Sequence, residues 1–184
     1  MPKNVMVVGT GTIGEPLIGL LAEHKDALGL DNVLFFKRTP LSDEKGKVEA
    51  LLRKGSKIVS TSDTLSDFKQ LGFSEIKDVD NAYEDADVII DCTPSGNENW
   101  KSIYSSLDQS KRFMAQGSEH GFGPFFAWGI NNDVLENESN KYLIASCNTH
   151  NIASIVKTFA LDQSRELVEG QFVCLRRAND VSQN

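Results

Sequence analysis

The sequence predicts an α/β fold, in which short parallel strands form a central sheet and helices cover its two faces. Three observations support this prediction: brief apolar runs recur along the chain, segments of helical periodicity separate them, and a glycine-rich turn follows the first run. Strands buried on both faces are apolar throughout, because helices shield each side of a parallel sheet from water.

The first elements predict a strand–helix–strand unit. The apolar run at 5–8 predicts a strand, apolar residues at helical spacing predict a helix over about 13–23, and 33–36 predicts a second strand. Such a unit with glycines in its first turn is typical of a Rossmann-type parallel sheet, whose crossover connections are right-handed.

The same patterns continue along the chain. We expect further strands at 57–59, 75–76, 88–94, 112–115, 143–146 and 171–176, and helices within 41–57 and near 99–107 and 151–160. The predicted fold class is therefore α/β: a Rossmann-type parallel sheet domain over 1–143, followed by the start of an α+β catalytic domain over 144–184. The sheet of this second domain is expected to be incomplete.

Composition and charge exclude several classes of protein. The chain has 184 residues, is 40% hydrophobic and carries a net charge of −7. We expect no nucleic-acid partner, because no basic stripe is present. The first apolar run is too short for a signal peptide or a membrane span, so a soluble, cytoplasmic protein is expected.

The three cysteines predict neither a disulfide framework nor a metal site. They are odd in number and lack metal-ligand spacing, which favours a reducing compartment. Cys92 comes after the apolar run at 88–90 and Cys174 lies within the apolar segment 172–175, so both are expected to be small buried side chains. Cys147 has polar neighbours on its C-terminal side and is the candidate for chemistry.

The glycine-rich turn matches the dinucleotide-binding pattern G-x-G-x-x-G. Gly9 permits the tight turn, Gly11 lets the backbone approach a pyrophosphate, and Gly14 lets helix and strand pack closely. The amides of Thr12 and Ile13 are then expected to face the phosphates at a helix N-terminus. The alternative is a glycine-rich turn without a ligand.

The ends of three later strands supply further candidate cofactor contacts. Lys37 and Arg38 follow the second strand, where two cations suit the 2′-phosphate of NADP better than the 2′-hydroxyl of NAD. The alternative for them is a pair of solvated charges. Thr93 and Gly117 lie at strand ends on the edge where such folds bind ligands, although plain turns explain both equally well.

The segment 146–150 carries the candidate nucleophile. Cys147 is expected near the N-terminus of the next helix, where amide dipoles favour the thiolate. Asn148 offers donors for an oxyanion, and Thr149 and His150 could contact a substrate phosphate. His150 could serve as a base only if the chain doubles back, and a core cysteine at a strand end remains the alternative.

Together these motifs resemble the archaeal-type (type II) phosphorylating glyceraldehyde-3-phosphate dehydrogenases. The resemblance rests on the glycine loop, Lys-Arg-Thr-Pro at 37–40, Asp-Cys-Thr-Pro-Ser-Gly at 91–96, Gln-Gly at 116–117, Ser-Cys-Asn-Thr at 146–149 and the pair Arg176–Arg177. His150 departs from the family pattern, which usually has a second threonine there. In that family the chain continues well past this length, so the resemblance implies an N-terminal fragment, inactive by itself.

The resemblance also implies roles and partners. Cys147 would be the nucleophile, Ser146 and Asn148 would flank the substrate, and one of Arg176 and Arg177 would contact the cofactor. The implied cofactor is NADP or NAD, and the substrates are glyceraldehyde 3-phosphate and inorganic phosphate, handled by a homo-tetramer. The alternatives are another Rossmann thiol dehydrogenase, such as aspartate-semialdehyde dehydrogenase, or a non-catalytic nucleotide-binding redox module.

Overall fold

The computed structural model describes residues 3–117, 119–161 and 167–175. Within these residues the chain forms eight strands: β1 (Asn4–Val8), β2 (Asn32–Phe36), β3 (Lys57–Ser60), β4 (Lys77–Asp78), β5 (Val88–Asp91), β6 (Arg112–Gln116), β7 (Phe125–Phe126) and β8 (Lys141–Ile144). All pair in parallel in one sheet of order β4-β3-β2-β1-β5-β6-β8-β7. The strand order reverses between β1 and β5, which is where open α/β sheets form their ligand crevice.

Helices connect most of these strands. They are α1 (Gly14–Glu23), α2 (Lys45–Arg53), α3 (Leu65–Gln70), α4 (Val79–Asp85), α5 (Gly96–Ser102) and α6 (Cys147–Val156). Short 3₁₀ turns lie at Ser42–Glu44, Tyr104–Ser106 and Asn132–Glu136, and α6 continues into a π-helical turn at Lys157–Leu161.

The sheet separates two apolar layers. Along β1, Val5 and Val7 pack in the layer that α1, α2 and α3 cover, whereas Met6 and Val8 pack in the opposite layer with Tyr104. Successive side chains of a strand point to opposite faces, so a strand apolar at every position is buried on both sides. The predicted Rossmann-type α/β sheet is confirmed.

Several predicted boundaries need correction. The strand predicted at 75–76 lies at Lys77–Asp78, the strand predicted at 88–94 ends at Asp91, and the strand predicted at 143–146 lies at Lys141–Ile144. The helix predicted near 99–107 spans Gly96–Ser102. The sequence prediction also omitted α3, α4 and β7, whose short lengths leave little periodicity to detect.

The helix that contains Cys147 begins earlier than the sequence predicts. The helix predicted from about 151 begins at Cys147, because the Ser146 hydroxyl oxygen caps it and accepts a hydrogen bond from the Thr149 amide at 3.3 Å.

The predicted final strand is wrong for residues 171–175. No strand forms there among the described residues, and Arg176 lies outside them. Val173 is 87% exposed and Leu175 is 95% exposed, since no described strand pairs with this segment. Cys174 is exposed as well, so its predicted burial is wrong, and Cys92 is half-buried. The predicted boundary between residues 143 and 144 stays a prediction.

Candidate active site

The carboxyl edge of the sheet brings the predicted motifs to one side of the molecule. The glycine loop follows β1, Thr93 follows β5, Gly117 follows β6 and Cys147 follows β8. These four strands are consecutive neighbours in the sheet. Because all run in parallel, their C-terminal ends meet at the same edge, which is the usual ligand site of such sheets.

The three glycines of the loop have three different surroundings. Gly9 has a φ of 97°, a left-handed conformation that side chains rarely adopt, and a Cβ there would lie 3.0 Å from Thr93 Cγ2. A Cβ at Gly14 would overlap the Gly9 carbonyl oxygen and lie 3.3 Å from Cys92 Cβ. A Cβ at Gly11 would meet nothing within 4 Å. The loop is therefore closed on its protein side and open at Gly11, as a phosphate site requires.

The start of α1 presents unused donors beside that opening. Thr12 and Ile13 are exposed, and among the described residues neither backbone N–H reaches a protein acceptor. The first N–H groups of a helix have no partner within the helix. Free amides and the positive end of the helix dipole favour an anion such as a pyrophosphate.

A cleft of about 690 Å³ extends from the glycine loop across the ends of β1, β2 and β5. Its volume is in the range of small-molecule and cofactor sites. Its polar lining residues are Thr10, Lys37, Arg38, Thr39, Glu44, Thr61, Asp80, Thr93, Ser95 and Asn99, and its apolar lining includes Val8, Phe36, Leu41, Val79, Tyr83 and Ile103. Gly9 also lines the cleft. A mixed lining of this kind fits a nucleotide, which has apolar base faces and polar ribose and phosphate groups.

The two predicted cations at the end of β2 differ in environment. Lys37 is 6% exposed, and its ammonium pairs with the carboxylate of Glu44. Arg38 is exposed on the cleft wall and has no acidic partner among the described residues. The Lys37 ammonium holds the pKa of the Glu44 carboxyl below its usual range.

Asp91 organises the floor of the cleft. Its buried carboxylate accepts hydrogen bonds from the Thr93 hydroxyl at 2.6 Å, the Asn99 side-chain amide at 2.7 Å and the Tyr104 hydroxyl at 2.8 Å. Burial and the nearby Asp91 charge raise the pKa of Tyr104 above its usual range and that of Tyr83 to about 12. Two cleft-lining side chains, Thr93 and Asn99, are thus held by one buried anion.

Cys147 occupies the first position of α6 and is exposed. Ser146 precedes it as the helix cap, and the hydroxyls of Ser146 and Thr149 lie 2.8 Å apart. Asn148 follows Cys147 in the first helical turn and is half-buried. The candidate nucleophile therefore lies beside the free amides of a helix N-terminus.

His150 contacts the backbone through one ring nitrogen. Its Nε2 lies 3.0 Å from the Trp128 carbonyl oxygen, and because that oxygen only accepts, Nε2 carries the proton. Lys157, further along the same helix, donates to the Gly129 carbonyl at 2.7 Å. The two contacts attach α6 and its continuation to the turn at Trp128 and Gly129.

Gly117 ends β6 between the cleft and Cys147. It has a φ of 62°, and a Cβ there would meet no atom within 4 Å, so its exposed side is open. The preceding Gln116 donates to Cys92 Sγ at 3.4 Å, and burial raises the pKa of the Cys92 thiol to about 12. Cys92 is therefore a neutral packing residue and not a second nucleophile.

The structure groups some predicted site residues and separates others. Gly9, Lys37, Arg38 and Thr93 share the cleft. Residues 146–150 form a second group at the start of α6, three strands away from β1. Arg176 and Arg177 lie outside the described residues. Among the described residues no cluster of His, Cys, Asp or Glu side chains could hold a metal ion.

Sequence reasoning missed three contributors to the cleft: Glu44, Asn99 and Asp91. A carboxylate directly after three apolar strand residues is an available signal for Asp91, since a buried charge requires several partners. Glu44 and Asn99 carry no such signal, because tertiary packing alone brings them to the cleft. No helix in the described part of the chain has the length and apolarity needed to cross a bilayer.

Comparison with known proteins gives a consistent set of relatives. No family model matches the chain. Among curated proteins it is 30% identical over 162 residues to glyceraldehyde-3-phosphate dehydrogenase of Pyrobaculum arsenaticum, covering 86% of this chain and 44% of that protein. It is 28% identical over 181 residues to the protein of the same name from Sulfolobus acidocaldarius, covering 96% and 49%. The chain is thus similar in sequence to archaeal glyceraldehyde-3-phosphate dehydrogenases.

The similarity covers only part of each relative. A third one, from Pyrobaculum calidifontis, is 29% identical over 162 residues and carries the same name. The chain spans about half the length of the curated relatives it matches, 44% of one and 49% of another. The resemblance predicted from the glycine loop and the Ser-Cys-Asn-Thr segment is confirmed by these similarities.

Proposed function

We propose that this chain provides the cofactor cleft and the nucleophile of a phosphorylating glyceraldehyde-3-phosphate dehydrogenase. The observation that carries the proposal is the placement of Cys147: an exposed thiol at a helix N-terminus, on the same sheet edge as the open glycine loop. The names of the archaeal relatives support the same reaction. A cytoplasmic homo-tetramer is the corresponding proposal for the whole protein.

Cys147 begins the reaction in this proposal. Its thiolate sulfur adds to the aldehyde carbon of glyceraldehyde 3-phosphate, which forms a C–S bond and places negative charge on the former carbonyl oxygen. The backbone amides of Cys147 and Asn148, which the Ser146 cap leaves free, and the Asn148 side chain are the donors proposed for that oxyanion. Ser146 holds the turn in place through its contact with Thr149.

The remaining steps return the thiolate. A nicotinamide cofactor held along this edge by the glycine loop would supply the acceptor for the hydride of the thiohemiacetal carbon, and Cys147 would then carry a thioester. An oxygen of inorganic phosphate attacks the thioester carbon, the C–S bond breaks, and 1,3-bisphosphoglycerate leaves. Thr149 and His150 are the side chains proposed to contact the substrate phosphate, with Thr149 exposed at the helix start.

The proposed cofactor is NADP or NAD, held at the phosphate groups by the loop. The backbone N–H groups of Thr12 and Ile13 would donate hydrogen bonds to the pyrophosphate, and Gly11 leaves room for it. Lys37 and Arg38 line the same cleft and are proposed to contact the adenosine ribose. Further proposed contacts come from Thr93 and Gly117 along the edge, and from Arg176 and Arg177 beyond the described residues.

The test is Cys147→Ser in the protein encoded by the complete reading frame. Oxidation of glyceraldehyde 3-phosphate should fall to background, because a serine hydroxyl is far less ionised than a thiol, whereas cofactor binding should persist. Cys174→Ser is the matched control, since Cys174 is also exposed and lies outside the residues of α6. Mass spectrometry of the wild-type protein under limiting phosphate should show an acyl group on Cys147.

Two outcomes would contradict the proposal. Substantial turnover by the Cys147→Ser variant would exclude the covalent route. Oxidation of aspartate semialdehyde in preference to glyceraldehyde 3-phosphate would assign the chain to a different thiol dehydrogenase, and rapid thiol modification without any aldehyde oxidation would indicate a redox module.

A further inference from the structure

Glu44 introduces a carboxylate into the part of the cleft that faces the end of β2. It ends the 3₁₀ turn Ser42–Glu44 and lines the cleft beside Lys37, Arg38 and Thr39. Its side chain is 28% exposed, so it contacts both the protein and the cleft. No motif in the sequence marks this residue.

Glu44 belongs to a compensated group of charges. It pairs with Lys37 and lies 3.7 Å from the Lys47 ammonium, which in turn pairs with Glu15 at 3.1 Å. Two lysines and two glutamates sum to zero. The pairing with Lys37 lowers the pKa of the Glu44 carboxyl, so the residue stays ionised at neutral pH.

The pairing of Lys37 with Glu44 reduces the positive charge that the end of β2 presents to a ligand. The Lys37 ammonium is buried and already held by Glu44, which leaves Arg38 as the cation on the cleft wall without an acidic partner among the described residues. A phosphate monoester carries roughly two negative charges at neutral pH. Placed here it would gain Arg38 but would also approach an ionised carboxylate, which costs free energy at short range.

A ribose hydroxyl, unlike a phosphate, can donate a hydrogen bond to the Glu44 carboxylate. A carboxylate has two oxygens and about four lone-pair positions, and the pairing with Lys37 uses only part of that capacity. A ribose 2′-hydroxyl could therefore donate to Glu44 without displacing the lysine. The local chemistry thus distinguishes a dinucleotide with a free 2′-hydroxyl from one with a 2′-phosphate.

We propose that Glu44 is a specificity-determining residue of the cleft, which disfavours a 2′-phosphate on the adenosine ribose and accepts a 2′-hydroxyl. The inference rests on the proposed function, because it assumes that the cleft holds a nicotinamide dinucleotide. It concerns the choice between two such cofactors, not the reaction at Cys147.

The test compares binding of NAD⁺ and NADP⁺ by calorimetric titration to the full-length protein and to its Glu44→Gln variant. Removing one carboxylate charge and releasing Lys37 should tighten NADP⁺ about three- to tenfold relative to NAD⁺ at moderate ionic strength. Glu49→Gln is the matched control: it removes the same charge from the neighbouring helix α2, where Glu49 pairs with Lys45 outside the cleft. Its ratio of dissociation constants should equal that of the wild type.

Each result separates the inference from the proposed function. Binding of neither cofactor by the wild-type protein would overturn the proposed function itself. Binding of both with an unchanged ratio in Glu44→Gln would leave that function intact and overturn the role of Glu44. Equal weakening of both cofactors would show a structural role only and would also overturn it. Glu44→Ala, with folding checked by circular dichroism, should reproduce the shift toward NADP⁺ if the Gln variant folds poorly.

Discussion

Gly11 and Gly14 provide a sharp test of how the glycine loop works, because an alanine at each position should fail for a different reason. At Gly14 the added methyl would lie 2.9 Å from the Gly9 carbonyl carbon, overlap its oxygen and reach within 3.3 Å of Cys92 Cβ. At Gly11 it would meet no protein atom within 4 Å. One site is constrained by the fold and the other only by its ligand.

The magnitudes follow from these contacts. Carbon atoms pack best at about 3.5–4.0 Å, so the Gly9 carbonyl would have to move by roughly 1 Å, in a turn that the backbone of β1 and α1 holds in place. Overpacking of this kind costs about 1–3 kcal/mol, and we expect Gly14→Ala near the upper value because the clash is with backbone. Gly11→Ala should leave the free energy of unfolding within about 0.5 kcal/mol of wild type.

Gly11→Ala, which should hardly change stability, should be the variant that weakens cofactor binding directly. Gly11→Ala places a methyl group where the pyrophosphate of the proposed cofactor would approach, so the dissociation constant for NAD(P)⁺ should rise at least tenfold while the protein stays as stable as wild type. Urea unfolding and cofactor titration of the same two variants give both quantities. If Gly11→Ala proves as destabilising as Gly14→Ala, or leaves cofactor affinity unchanged, the assignment of the open side of the loop is wrong.

Three further predictions concern buried and exposed polar groups. Iodoacetamide near neutral pH should modify the exposed Cys147 and Cys174 and spare Cys92, whose pKa is raised to about 12; peptide mapping would check this. Stability should fall as pH rises from about 9 towards 12, because unfolding lets Cys92 and Tyr83 release protons that the folded state retains, and Cys92→Ala should flatten the urea-midpoint profile there. Lys111→Met should cost about 1–3 kcal/mol in urea unfolding, because the ammonium donates to the Glu84 and Ala86 carbonyls at 2.7 and 2.8 Å.

The sequence alone predicts the long apolar strands and the glycine loop well, because their signals are local. Four consecutive apolar residues in β1 are typical of a strand buried on both faces, and a G-x-G-x-x-G turn directly after such a strand is typical of a dinucleotide-binding loop. Short elements gave no comparable signal. β7 has two residues and α3 has six, too few to repeat the period of a strand or a helix.

The candidate site shows the same division. Cys147 and the ends of β1, β2 and β5 could be placed by counting strands, since parallel strands share one carboxyl edge. The pairing of Lys37 with Glu44 could not, because a strand end and a 3₁₀ turn meet there through tertiary packing. The sequence prediction began α6 four residues too late. It relied on apolar periodicity, which carries no information about the serine cap that begins the helix at Cys147.

The common sheet has a consequence for how this protein tolerates sequence change. β1, β5, β6 and β8 are consecutive, and at about 4.8 Å per strand the distance from β1 to β8 is roughly 14 Å. Insertions in the long connection between β6 and β8 leave that distance unchanged, because hydrogen-bonded strands set it. A slip of one residue between β8 and β6 would instead displace Cys147 by about 3.3 Å along the strand axis. An error of 1 Å can already slow an enzymatic step about a hundredfold. If Cys147 is the nucleophile, as proposed, its position therefore depends on the β6–β8 pairing, where Phe113 pairs with Lys141.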